Sequence, residues 1–159
     1  MIPGMILKFL QDRGAIAVGG TRDGSRVPHV HYVSGWNVET DQQTIRCSIN
    51  RAYLDHLFSS LEDNSQFCLT VEQIGTHETY QFKGNYAGSA EPNDADWVAH
   101  RRITERFAGA VSGLFGHSEE DCRAYISPPS VVVRFTVREI FVQTPGPGAG
   151  HRVFPPEGQ

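Results

Sequence analysis

Apolar and polar positions along the chain alternate in short runs that turn residues punctuate. Residues 4–13 place Ile6, Leu7 and Leu10 at helical spacing and stop before Gly14, which predicts a short opening helix. Residues 15–21 read as a strand, and Asp23-Gly24 is a hairpin signal. The returning strand spans 27–36, with Pro28 near its start, where a missing ladder donor is tolerated. Ile45, Cys47 and Ile49 then alternate with Arg46, Ser48 and Asn50, so one face is apolar and the other polar. Leu54, Leu57, Phe58 and Leu61 give helical spacing over 53–61.

The second half repeats the scheme. Phe67, Leu69 and Val71 alternate with Cys68, Thr70 and Glu72; after a turn at Gly75, Tyr80, Phe82, Gly84 and Tyr86 alternate with Thr79, Gln81, Lys83 and Asn85. Segments 66–73 and 77–88 therefore predict an antiparallel hairpin. Asn93 caps a helix over 94–107, residues 109–117 read as a glycine-rich loop, and Ser118 opens a second short helix. A long last strand covers 131–143, and the tail from Thr144 to Gly150 cannot continue any regular element. About six strands with helices between the third and fourth, and between the fifth and sixth, predict a mainly β antiparallel barrel with helical insertions.

Composition narrows the class. At 159 residues the chain supports one core and no second substantial domain. A formal net charge of −4 argues against a nucleic-acid footprint, which would show as a basic face. No apolar run is long enough to span a membrane as a helix. Cys47, Cys68 and Cys122 are too few for a disulfide framework, and Met1-Ile2-Pro3-Gly4 lacks the features of a signal peptide. These features set the expectation of a reduced, cytoplasmic protein.

The order of elements, with the residues that fill them, resembles the pyridoxamine 5′-phosphate oxidase-like family of FMN-binding split barrels. Ala15-Ile16-Ala17-Val18-Gly19-Gly20-Thr21 and Asp23-Gly24 with Pro28-His29-Val30 are similar to its first hairpin. Ile45-Arg46-Cys47-Ser48-Ile49-Asn50-Arg51 resembles its third strand and the start of its phosphate loop. Leu61-Glu62-Asp63-Asn64 with Phe67-Cys68-Leu69-Thr70-Val71 resembles its helix end and fourth strand. Gln81-Phe82-Lys83-Gly84-Asn85-Tyr86-Ala87 is similar to its fifth strand, and Arg134-Phe135-Thr136-Val137 to its last. The resemblance implies a six-stranded antiparallel split β-barrel over 1–143, with 144–159 as a Gly/Pro-rich tail. It further implies a homodimer with FMN between subunits. Many members carry a Ser-Arg-Lys or Ser-Pro-Lys phosphate clamp; here Arg51-Ala52-Tyr53 succeeds the strand, without lysine.

On that resemblance the cofactor-binding candidates are His29, Val30, His31, Tyr32, Cys47, Ser48, Asn50, Arg51, His56, Thr79 and Gln81. The residues themselves leave alternatives open. His29 and His31 share a strand face, and that spacing suits a metal, a plain pleat or a cofactor-facing strand; no carboxylate or cysteine is spaced to complete a tetrahedral metal site. Arg46, Ser48, Asn50 and Arg51 fit a solvated strand face or an anion site at a helix start. Arg101, Arg102 and Arg106 read as a salt-bridged helix face, and Gly146-x-Gly148-x-Gly150 lacks the helix a dinucleotide fingerprint needs. The functional expectation is an FMN-dependent oxidoreductase acting on a small molecule. The alternatives are a non-catalytic flavin- or haem-binding protein and a deazaflavin-dependent reductase.

Overall fold

The structure is a computed structural model and describes residues 1–155, with Tyr53 and Asp55 described through their backbone alone. The strands are β1 (Ile16–Arg22), β2 (Pro28–Val38), β3 (Thr44–Ile49), β4 (Gln66–Glu72), β5 (Thr79–Ala90), β6 (Val131–Val142) and β7 (Arg152–Phe154). The helices are α1 (Gly4–Asp12), α2 (Leu54–Asn64), α3 (Asp94–Phe115) and α4 (Glu119–Ala124), and a 3-10 turn at Arg51–Tyr53 leads into α2. All strand pairings are antiparallel, in the order β3-β2-β1-β4-β5-β6, and β3 pairs with β6 to close a six-stranded barrel. The fold class is thus the expected one: mainly β, with helices inserted.

Alternation decides what fills the barrel. Val33, Ile45, Phe67, Leu69, Phe82 and Phe135 point inward and are essentially unexposed. Helix α1 adds Phe9 and Leu10 to the same core, and the Trp36 indole N–H donates to the Leu10 carbonyl at 3.1 Å. A buried tryptophan needs such a partner for its one donor.

Helix α3 lies across the outside of β2. A Cβ built on Gly35 would meet the His100 backbone at 3.0 Å, so the absence of a side chain there lets the helix approach. The polar face of β3 differs from the solvated face that alternation alone allows: Ser48 is 2% exposed and Thr44 5%.

One expectation, about the helix, is corrected, and a strand is added beyond the segment that reads as irregular. Segment 109–117 is not a loop, because α3 continues to Phe115 and ends at Gly116, whose φ of 71° suits a left-handed cap. Exposed glycine inside a helix costs only about 1 kcal/mol, so Gly109 and Gly113 do not stop it. Beyond Gln143 the chain turns through 144–151 and comes back as β7, pairing Phe154 with Ile140 and Arg152 with Phe141. A strand of three residues leaves almost no pattern to read in a Gly/Pro-rich segment.

Candidate functional site

A groove of about 430 Å³ runs over the ends of β1, β2 and β4 and the middle of β5 and β6. Its chemistry comes from Arg22, His29, Cys68, Lys83, Arg138 and Glu139. Cys68 and Lys83 are cross-strand partners on the outer face, the pleat having sent Phe67 and Phe82 inward. Arg138 and Glu139 reach the groove together because β6 bulges: Lys83 pairs with Glu139 and Gly84 with Val137, leaving Arg138 as the extra residue.

Three cations thus face one carboxylate. Glu139 is already held, since Arg152 Nη1 donates to its Oε1 at 3.2 Å. Arg22 Nε donates to Gln66 Oε1 at 3.2 Å, and the Lys83 ammonium sits 4.5 Å above the centre of the Phe141 ring. Burial pushes the Cys68 thiol above its ordinary range, with Lys83 pulling the other way. The groove is cationic.

His29 lines the groove and is one of three neighbouring histidines. His29 lies parallel to His56 of α2, with ring centres 5.0 Å apart, and its Nε2 is 3.5 Å from Asp23 Oδ2. His31 is 1% exposed, and its Nε2 lies 2.8 Å from Thr21 Oγ1. Burial, then the nearby His29 and His56, push its pKa down to about 4, so its ring is neutral near pH 7. Among the described residues no group of three or more His, Cys, Asp or Glu side chains is arranged to hold a metal ion.

The start of α2 offers less for an anion. Arg46 is committed to Asp96, with Nε and Nη2 donating at 2.9 and 2.6 Å. Asp96 is itself fixed in the capping box of α3. Asn50 Oδ1 accepts the Ala52 amide at 2.9 Å, using one of the helix-start donors, and Asn50 Nδ2 donates to the Pro128 carbonyl at 3.4 Å. Ser48 is covered. Arg51 is exposed on the surface of this turn.

The remaining candidates scatter. Cys47 packs the barrel interior, wholly buried, so its side chain faces the core and no ligand; burial pushes that thiol up as well. Thr79 is buried, donates to the His77 carbonyl at 2.8 Å, and its amide donates to Thr144 Oγ1 at 2.9 Å. Gln81 lies on the Lys83 side of β5 and donates to Thr70 Oγ1 at 3.3 Å. Val30 lines the groove, and Tyr32 comes two residues later along the same side of β2.

No protein-family model matches the chain, and no curated protein sequence does. Solved structures do. HupZ of Group A Streptococcus is 17% identical, with 94% of this chain and 100% of that one covered, at a TM-score of 0.55. An FMN-binding protein from Syntrophomonas wolfei subsp. wolfei is 12% identical over 85% of this chain and 81% of that one, at 0.52. An F420 reductase is 11% identical over 84% and 94%, also at 0.52. The fold is the pyridoxamine 5′-phosphate oxidase-like split barrel.

Within this split barrel the structure brings His29 against His56 of α2, with Val30 and His31 beside it on β2, and Asn50 and Arg51 lie in the turn that opens α2. The groove cations Arg22, Lys83 and Arg138 were missed by sequence reasoning. Lys83 had a signal, its place on the polar face of β5. Arg138 had the same signal, as it alternates with Phe135 and Val137; only Glu139 needs the bulge to reach that face.

Proposed function

We propose that the protein binds a phosphate-bearing flavin, FMN, in the cationic groove and acts as an FMN-dependent oxidoreductase on a small molecule, as a homodimer. One observation carries this reading: Arg22, Lys83 and Arg138 converge on a groove of about 430 Å³ whose lining carboxylate, Glu139, is already paired. Ligand pockets commonly measure roughly 300–1,000 Å³, and a phosphate needs cationic or backbone donors. These three residues hold the anionic end, and Val30 offers apolar surface beside them. When bound, the flavin supplies hydride chemistry; the protein supplies binding, orientation and exclusion of water. The likeness in fold to the S. wolfei FMN-binding protein supports the cofactor, and the likeness to the F420 reductase keeps a deazaflavin as the alternative of the same type.

The competing place for the phosphate is the start of α2, with Arg51 and His56. It is the weaker one, since Arg46 is spent on Asp96 and Asn50 takes an amide donor. Titration with FMN and with riboflavin separates the two. Lys83→Ala or Arg138→Ala should each weaken FMN about 10- to 150-fold, because a hydrogen bond to a charged group contributes about 1.5–3 kcal/mol. Riboflavin, without the phosphate, should lose little. Selective loss in Arg51→Ala instead would move the site to α2, and a wild type that binds neither flavin would end this reading.

A second reading, a non-catalytic haem-binding protein, has one observation in its favour: His29 is among the residues that line the groove. Imidazole is a common axial ligand of haem iron. The visible spectrum of the purified protein distinguishes haem, flavin and deazaflavin.

A further inference from the structure

The bulge in β6 creates a problem for any anion-binding groove. Regular alternation would turn Arg138 and Glu139 to opposite sides, whereas the bulge presents both. Glu139 thereby becomes the direct cross-strand partner of Lys83. Opposite charges in that position pair readily, and such a pair would withdraw Lys83 from a ligand. In this chain they do not pair. The Lys83 ammonium rests over the Phe141 ring at 4.5 Å, while Glu139 accepts from Arg152 Nη1 at 3.2 Å.

Arg152 arrives from the other side of β6. Strand β7 sets it beside Phe141, and the returning chain is held by the amides of Gly150 and Val142, which donate to the Val142 and His151 carbonyls at 2.8 and 2.9 Å. We infer that β7 is a charge latch: Arg152 occupies Glu139, which leaves Lys83, Arg138 and Arg22 available to the phosphate of a bound ligand. The latch rests on the reading of the groove as an anion site. It makes the C-terminal segment a determinant of ligand charge preference without any contact to the ligand. Arg152 is a positioning residue in this sense.

The test is a double-mutant cycle on the full chain. FMN and riboflavin are titrated into wild type, Arg152→Ala, Glu139→Gln and the double variant. Arg152→Ala should weaken FMN about three- to tenfold, the scale of one uncompensated charge near a dianion at a solvated surface. Riboflavin should change by less than about twofold on the same grounds. The double variant should regain wild-type FMN affinity, since the harm comes from the exposed carboxylate. Unchanged FMN binding in Arg152→Ala overturns the latch, and so does a loss that persists in the double variant.

A second arm needs no cofactor. Cys68 lines the same groove opposite Lys83 and reports its potential through the rate of thiol modification. The ratio of rates with an anionic aromatic disulfide, dithiobis(nitrobenzoate), and a neutral one, dithiodipyridine, is measured against a Cys68→Ser blank. That ratio should fall several-fold in Arg152→Ala, in line with one added negative charge. If wild type binds neither flavin but the ratio falls, the cofactor reading fails and the latch stands. If the ratio is unchanged, the latch fails whatever the flavins do.

Discussion

His31 is the residue whose surroundings give it the clearest consequence in solution. It is an imidazole closed inside the barrel end, against Thr21 and within the field of His29 and His56. Its folded pKa near 4 lies below the ordinary 6.5, so the sign of the linkage is fixed. Above pH 6.5 both folded and unfolded chains leave it neutral, and its full contribution is present. As pH falls from 6.5 towards 4 the unfolded chain takes up a proton that the folded chain refuses, and stability is lost. The ceiling is about 3 kcal/mol, at about 1.4 kcal/mol per pKa unit. Denaturation midpoints measured from pH 7.5 to 4.5 should fall more steeply for wild type than for His31→Gln. Identical slopes would place the acid sensitivity elsewhere. Nothing in the sequence could have distinguished this histidine from His29, two residues away; the difference is depth.

Among the elements, α3 shows what a linear reading gains and loses. Its start was legible, because Asn93 and Asp96 form a capping box at the expected place. Its end was not. Gly109 and Gly113 read as loop, yet the helix runs through both to Gly116. A Cβ built on either meets nothing within 4 Å, so Gly109→Ala and Gly113→Ala should each stabilise by about 0.5–1 kcal/mol. Thermal melts that show no rise would mean that the last turns of α3 contribute nothing to the cooperative unit. The β4–β5 hairpin was legible because both strands alternate and a short connection, residues 73–78, joins them around Gly75. The candidate site was legible only in part. His29 and Val30 do line the groove, but Cys47 belongs to the core and Arg46 to an ion pair with α3. Alternation assigns a face; it does not say which faces a helix will later cover or where a bulge will break the count.

At the scale of the whole molecule, Val30 in the groove and Val18 on the strand paired with it are 68% and 38% exposed. Apolar side chains clustered around a ligand groove suit a subunit contact. Light scattering should therefore give a dimer, and Val30→Glu should convert it to monomer while the far-UV spectrum is unchanged. A wild type that remains monomeric at micromolar concentration would remove the subunit contact from the proposed function. The barrel seam has a consequence of another kind, in time. Strands β3 and β6 meet across a separation of 92 positions, as between Thr44 and Thr136, and β4 and β5 both lie between them in the chain. Contacts so distant in sequence form late and slowly, because loop closure is paid before they reward it. While the chain is being synthesised, β3 is made early and must wait with one ladder open until β6 emerges. An open ladder is a template for a neighbouring chain. Aggregation during expression should thus be set by how long that edge waits, and slower synthesis or higher temperature should worsen it before any change in the stability of the finished barrel is felt.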